Sequence, residues 1–551
     1  MLKRIGLYYR TIKHLKPIQI RYRLWYMLRG KFRKLTGQTF PFSILKEGHA
    51  LKLALDIQVQ TSSFQPPITF TFLNQSHTFG DQIDWNFDQY SKLWAYNLNY
   101  FDYLHQRDIS KEQGLQLIRK FIEQIETNRE GIEPYPISLR GINWIKFLSM
   151  HKINDAKIDA CLYAQYRILF DNIEYHLMGN HLLENGCSLL FGAYYFQEEQ
   201  LLKKARKILL EQIDEQILSD GGHFERSTMY HGILLERLMD CYNLIINNNS
   251  VWKDDSLGRL LLEKISKMLG WAEQLSVGSN QLTVNSEQKA SNRELPLLND
   301  AAMGIGPLLK DLEAYADRLG IQATKVKLSD SGYRKYTTER FELICDVGNI
   351  GPDYIPGHAH SDTFSFILFS DSKPVIIDPG ISTYENNSRR LLERSTAFHN
   401  TVQFDHKEQT EVWGAFRVGR RAKVHDVKEI KKGDQIQLSA WHDGYQTWNI
   451  KHKRSWMVKD GENQITIEDL LLGETSKKGC LNLHFHPDWT GLISLESDCV
   501  VLKNIVIKFS DYISIEKGIY DCPHGYNRYE KASKVTVAFK EKLTTDIQKI
   551  S

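Results

Sequence analysis

The chain has 551 residues, 42% of them hydrophobic and 25% charged, with a formal net charge of +3. That length exceeds one ordinary core and implies two or three domains, and the composition is that of a globular protein. So small a net charge argues against a dedicated nucleic-acid binder but leaves room for a local basic cleft holding an acidic substrate. The seven scattered cysteines, with no CxxC among them, exclude a disulfide framework and a thiolate metal site.

Residues 1–40 carry eleven Lys or Arg and no Asp or Glu. Lys3 and Arg4 precede Ile5-Gly6-Leu7-Tyr8-Tyr9-Arg10, which lacks the apolar core of a signal peptide. The default expectation is the cytoplasm, or the periplasm if a leader has been removed. Ile5, Tyr8, Tyr9, Ile12 and Leu15 fall at helical spacing before Pro17. Such a stripe serves either packing against the body, the commoner use, or peripheral contact with an anionic membrane or a partner. No apolar run approaches the roughly 20 residues of a membrane span.

Residues 41–85 are rich in Thr, Gln, Phe and Pro and read as short extended pieces, Phe70-Thr71-Phe72 being the clearest alternation. Residues 1–85 are therefore taken as a basic segment followed by extended pieces. From 86 to 325 the pattern is helical, in pairs punctuated by Asn, Gly and Pro. There is no fixed period, so a regular solenoid is not supported, while antiparallel helix pairs bent into a toroid stay open. After Pro134 and Pro136 a helix start carries Arg140, Asn143 and Trp144. This set presents either a ring for sugar stacking with a cation for a carboxylate, or simply core. Residues 326–551 hold many short runs of strand formers, such as Thr363–Phe369 and Val535–Phe539, separated by turns. They predict an antiparallel β-sandwich or stacked sheets. The fold class expected is multidomain α+β, helices first and strands after.

Five polar motifs interrupt these patterns. In Asn180-His181-Leu182-Leu183-Glu184-Asn185-Gly186, His181 and Glu184 share a helix face and Asn180 sits at the helix start, where it could cap. In Asp220-Gly221-Gly222-His223-Phe224-Glu225-Arg226-Ser227-Thr228-Met229-Tyr230-His231 a turn leads into a helix reaching Tyr230. In Gly357-His358-Ala359-His360-Ser361-Asp362, two histidines two residues apart on a strand would point to one face. Asp378 closes the run Val375-Ile376-Ile377, and His399 lies in Phe398-His399-Asn400-Thr401-Val402. His360, Asp378 and His399 are ligand types that zinc accepts, although the same set can be hydrogen-bonded core.

Taken in order, these motifs resemble those of the heparinase II/III family of polysaccharide lyases, over about residues 90–420 and more loosely to the end. The resemblance implies an incomplete (α/α) toroid followed by antiparallel β-sheets, with the site between them. It implies cleavage of a uronic-acid polysaccharide by β-elimination: heparan sulfate, chondroitin, hyaluronan or an alginate-like polymer. By the same resemblance Asn180 and His181 meet the uronate carboxylate, Tyr230 and His358 are catalytic, and His360, Asp378 and His399 hold a divalent ion. That ion would be mainly structural, zinc first and manganese or calcium as alternatives. Glu184 is expected to orient His181, and Arg226 to add charge from the neighbouring helix. The alternatives are a metal-dependent glycan hydrolase using His358, His360, Asp378 and His399 to activate water, and a non-catalytic protein that binds acidic glycans.

Overall fold

The computed structural model describes residues 2–54, 62–252, 255–278, 293–474 and 476–550; positions 55–61 of the expected extended stretch lie outside them. Two helices come first, α1 (Leu2–Ile12) and α2 (Pro17–Thr36). The Pro at the start of α2 has no N–H to leave unsatisfied there, and Gly37, at φ 66°, ends the helix in the left-handed region. A small antiparallel sheet follows: β1 (Phe64–Gln65), β2 (Thr69–Phe72) and β3 (Gln75–Thr78). The alternation at Phe70–Phe72 buries both rings against Tyr103 and Trp94.

The helical region runs through α3 (Lys92–Tyr100), α4 (Lys111–Glu123), α5 (Pro134–Met150), α6 (Ala156–Asp171), α7 (Gly179–Phe196), α8 (Glu199–Gln216), α9 (Thr228–Asn247), α10 (Asp255–Leu275) and α11 (Leu309–Arg318). Helices α5 and α7 are buried on nearly every face, and their buried polar side chains, such as Arg140, Lys146 and Glu184, are paired inside the core. Helix α7 packs against α5, α6, α8 and α9. Close approach to α6 depends on glycine: a Cβ at Gly192 would stand 2.7 Å from the Tyr166 ring.

The remaining chain builds two sheets. Four antiparallel strands, β4 (Tyr333–Thr337), β5 (Phe341–Asp346), β6 (Phe366–Ser370) and β7 (Lys373–Ile376), form the first. After a short helix α12 (Ser388–Glu393) come β8 (Val402–Phe404), the small pair β9 (Val412–Trp413) and β10 (Arg417–Val418), and then β11 (Val424–Lys432), β12 (Gln435–His442), β13 (Lys451–Lys459), β14 (Gln464–Leu472), β15 (Gly479–His484), β16 (Ile493–Leu495), β17 (Cys499–Leu502), β18 (Ile505–Pro523) and β19 (Tyr529–Lys549). The large sheet runs β11-β12-β13-β14-β19-β18-β17-β16, with β15 joining β19 to β8, and does not close into a barrel.

The two sheets stack. Leu343 and Leu368 of the small sheet share a core with Trp456, Leu483 and Val537 of the large one. The opposite face of the small sheet, through Tyr333, Ile344 and Ile367, packs on Trp271 and Leu275 of α10. The four-stranded sheet is thus the middle layer, and its loops face the ends of α7 and α9. Strand β13 was not expected, because Lys451-His452-Lys453-Arg454 does not look apolar. Its alternate residues are nevertheless buried: His452 and Arg454 point inward because Asp469 on β14 bonds both, at 2.7 and 2.6 Å. A buried charge is tolerated where it is paired and hydrogen-bonded.

Candidate active site

The site is assembled around one dipeptide, Asn299-Asp300, in a loop between α10 and α11. Asn299, at φ 55°, a left-handed conformation that Asn tolerates, binds the Arg226 carbonyl at 3.3 Å and accepts the His360 N–H at 3.1 Å. The Asp300 carbonyl accepts the Ser227 hydroxyl at 2.6 Å. Its carboxylate takes His358 Nδ1 on one oxygen and His360 Nε2 on the other, each at 2.8 Å. Arg390 of α12 closes the group with a two-pronged ion pair. Asp300 and Arg390 are fully buried. Burial works against the Asp300 charge, but Arg390 and the two imidazoles more than offset it and hold the carboxyl well below its usual range.

His358 and His360 are not on a strand. They lie in the loop before β6, and a shared acceptor, not a shared sheet face, brings them together. With Nδ1 held by Asp300, His358 presents Nε2 outward, 3.7 Å from Glu225 Oε2. Its ring packs 4.0 Å from the ring of Tyr230, centroid to centroid. Tyr230 is in the first turn of α9, whose N-cap Ser227 accepts the Tyr230 N–H at 3.3 Å. Burial raises the Tyr230 phenol well above its ordinary value near 10, so it stays protonated. Its oxygen accepts the Tyr384 hydroxyl at 3.1 Å, which leaves its own proton free to point elsewhere.

Across from them stands the N-terminus of α7. The helix begins at Gly179, with Met178 at φ 65° as its cap residue, so Asn180 does not cap. The Asn180 Oδ1 and the Glu225 Oε2 are both buried without a hydrogen-bond partner. Burial raises the Glu225 carboxyl, although the Asn180 N–H and His358 favour its charge. His181 is bonded by Glu174 at 3.1 Å and packs its ring 4.4 Å from that of Tyr135. Burial disfavours its protonation, but the Glu174 carboxylate outweighs this and raises its pKa from 6.5.

Other expected residues lie elsewhere. Glu184 does not orient His181; it is buried against Arg237 at 3.0 Å, within a network that includes Asp240 and Lys146. Arg140 is fully buried, bonded to Gln165 and the Asn99 and Gly131 carbonyls, with burial pulling its pKa to about 9. Asn143 is tied to the Tyr100 carbonyl at 2.9 Å. Trp144 is enclosed by Phe101 and Phe121 and offers no face to a sugar. Arg226 precedes α9, at φ 60°, and its guanidinium points toward Asp330 and Gly348.

The residues assigned to a metal ion meet in a different arrangement. His360 Nδ1 and His399 Nε2 face each other at 3.2 Å, while Asp378 bonds the far nitrogen of His399 at 2.8 Å. Asp378 thus holds a histidine and does not complete a coordination shell. Among the described residues, no group of three His, Cys, Asp or Glu side chains is placed to hold a metal. The nitrogen pair alone does suit a cation. Asp300 and Asp378 fix both tautomers so that the facing nitrogens each carry a lone pair when neutral. The two rings are shifted in opposite directions: desolvation lowers His360 to about 4, whereas Asp378 overcomes the desolvation of His399 and raises it.

Asp300, Glu225, Tyr384, Arg390 and Glu174 were not singled out from the sequence. Glu225 alone lay inside a recognised motif; the others carry no local signature.

Comparison with known proteins agrees with this architecture. The model "Heparinase II/III N-terminus" matches residues 138–311, and "Heparinase II/III-like, C-terminal" matches 322–550. A heparin-sulfate lyase of Bacteroides stercoris is 23% identical over 330 residues, spanning 56% of this chain and 46% of the relative. The chain therefore spans about half the length of that curated relative. Among solved structures, heparinase III superposes with a TM-score of 0.67 at 15% identity, covering 86% of this chain and 80% of that one. A heparan sulfate lyase from Pedobacter heparinus gives 0.55 at 15% identity, covering 87% and 80%. The fold is theirs: a helical N-terminal region and an antiparallel-sheet C-terminal region. With both family models matched in order along most of its length, the chain belongs to the heparinase II/III-like family.

Proposed function

We propose that the protein is a polysaccharide lyase that cleaves a uronate-containing polymer, a glycosaminoglycan or alginate-like chain, by β-elimination. The observation that carries this reading is the Tyr230 ring 4.0 Å from a His358 whose Nδ1 is held by Asp300. A neutral phenol and an oriented imidazole are the acid and base such a reaction needs. The similarity to a heparin-sulfate lyase supports the same class.

The chemistry sets the roles. Elimination removes the proton at C5, beside the uronate carboxylate, and expels the oxygen at C4. His358 Nε2 takes the C5 proton, and the electron pair delocalises into the carboxylate. That pair then forms the C4–C5 double bond as the C4–O bond breaks, and Tyr230 gives its proton to the leaving oxygen. The buildup of charge on the carboxylate is stabilised by His181 as imidazolium and by the Asn180 amide, donors fixed before reaction. Glu225 borders the same space, and burial raises its pKa, the direction that favours a neutral group beside the substrate carboxylate. Asp300 is a positioning residue: it holds the base tautomer. A divalent ion between His360 and His399, zinc by donor type, would supply structural support to the loop bearing His358. The helix pairs around α7 would supply the concave wall of an incomplete toroid.

The test is an absorbance screen for unsaturated uronate over heparan sulfate, chondroitin, hyaluronan and alginate. Activity on at least one polymer is expected, with Tyr230→Phe lower by about 10²- to 10⁴-fold. Polymer shortening without the chromophore would identify hydrolysis and overturn the proposal.

A further inference from the structure

Helix α2 has two apolar faces, and the protein covers one. On the inner face the Tyr22 ring stacks 4.6 Å from Tyr175, the Tyr26 hydroxyl donates to the Ile173 carbonyl, and Arg29 donates to the Asp171 carbonyl at 2.6 Å. At about 100° per residue, Ile20, Leu24, Met27, Leu28 and Leu35 fall within roughly one 100° arc on the opposite side. All five are exposed, Leu24 by 51%, Leu28 by 59% and Leu35 by 86%. A contiguous apolar stripe on an outer face marks a contact surface.

The charges around the stripe select its partner. Lys31 lies within it, and Arg21, Arg23 and Lys34 flank it, all exposed. Residues 1–40 contain no acidic side chain to oppose them. A second copy docking through this face would bring like charges together, which disfavours self-association. An anionic phospholipid surface satisfies both properties: acyl chains take the leucines and headgroups take the cations. Trp25 and Phe32, exposed by 54% and 58%, border the stripe at the depth where such rings sit best. Helix α1 adds to the same chemistry, with Ile5, Tyr9 and Ile12 exposed outward while Arg10 is anchored to Glu411. No described helix is long and apolar enough to cross a membrane.

We infer that the outer face of α2 docks the protein on an anionic bilayer, lying in the headgroup plane. The test is flotation of the full chain with phosphatidylcholine vesicles, with and without phosphatidylglycerol. Flotation is expected only with the anionic vesicles, weakening as salt rises. Leu24→Ser/Leu28→Ser and Lys31→Glu/Lys34→Glu should each reduce binding at least about tenfold. Their melting temperatures should match the parent, since these side chains point away from the body. Failure of the parent to float with anionic vesicles, or unchanged flotation of both variants, would overturn the inference. So would a dimer of the parent, seen by sedimentation, that Leu24→Ser/Leu28→Ser abolishes.

Discussion

Asp300 concentrates more function than any other side chain in the site, because one buried carboxylate serves two imidazoles and a guanidinium. Asp300→Asn is expected to destabilise the protein by about 3–5 kcal/mol, since Arg390 is left buried without a counter-charge. A urea denaturation midpoint that falls while the slope holds would show this. The His181–Glu174 pair carries a pH dependence. With the pKa of His181 raised above 6.5 in the folded protein, its contribution to stability is fully present below 6.5. That contribution is lost as pH rises through the folded value. Substrate binding should follow the same direction, KM increasing on the alkaline side as the imidazolium is lost. Glu174→Gln should move that limb to lower pH, and a KM profile identical to the parent would remove His181 from carboxylate recognition.

At the level of elements, the loops around the four-stranded sheet hold the chemistry, and the helices and strands hold the loops. Ser227 caps α9 and at the same time donates to the Asp300 carbonyl, so the start of the tyrosine helix is tied to the loop whose Asp300 carboxylate holds both histidines. The His360–His399 pair lies just behind. If a divalent ion binds between these nitrogens, zinc should raise the melting temperature of chelator-treated protein, and His399→Ala should abolish the increase. Calorimetry with and without added zinc checks this without reference to turnover. Much of the helical and strand pattern could be read from periodicity, as in the alternation at Phe70–Phe72. Strand β13 could not, because its inward residues His452 and Arg454 are polar and become core only through Asp469 on another strand.

Across the whole molecule, the N-terminal helices strap the two regions together. Helix α1 is bound to the sheet region through Arg10–Glu411 and through Trp413, which donates to Thr11. Helix α2 lies on the helical region around Asp171–Tyr175. Removing residues 1–36 should therefore lower the thermal midpoint by a few degrees, at roughly 2–4 °C per kcal/mol for domains of this size. An unchanged midpoint by calorimetry would show that the strap carries no stability. The strap's outer stripe leaves this effect separate from lipid binding, because the residues that touch the body differ from those that face away.

By itself the sequence determined that helices precede strands, which motifs are polar where packing asks for apolar residues, and which family these motifs resemble. Such information is local, since the faces of a helix or strand follow from its own period. Tertiary structure decided the partners. Asp300 meets His358 across 58 residues and Arg390 across 90, while Trp144, Arg140 and Glu184, similar in chemical promise, are enclosed by core. Which polar group is buried beside which depends on how layers stack, and no short-range pattern specifies that.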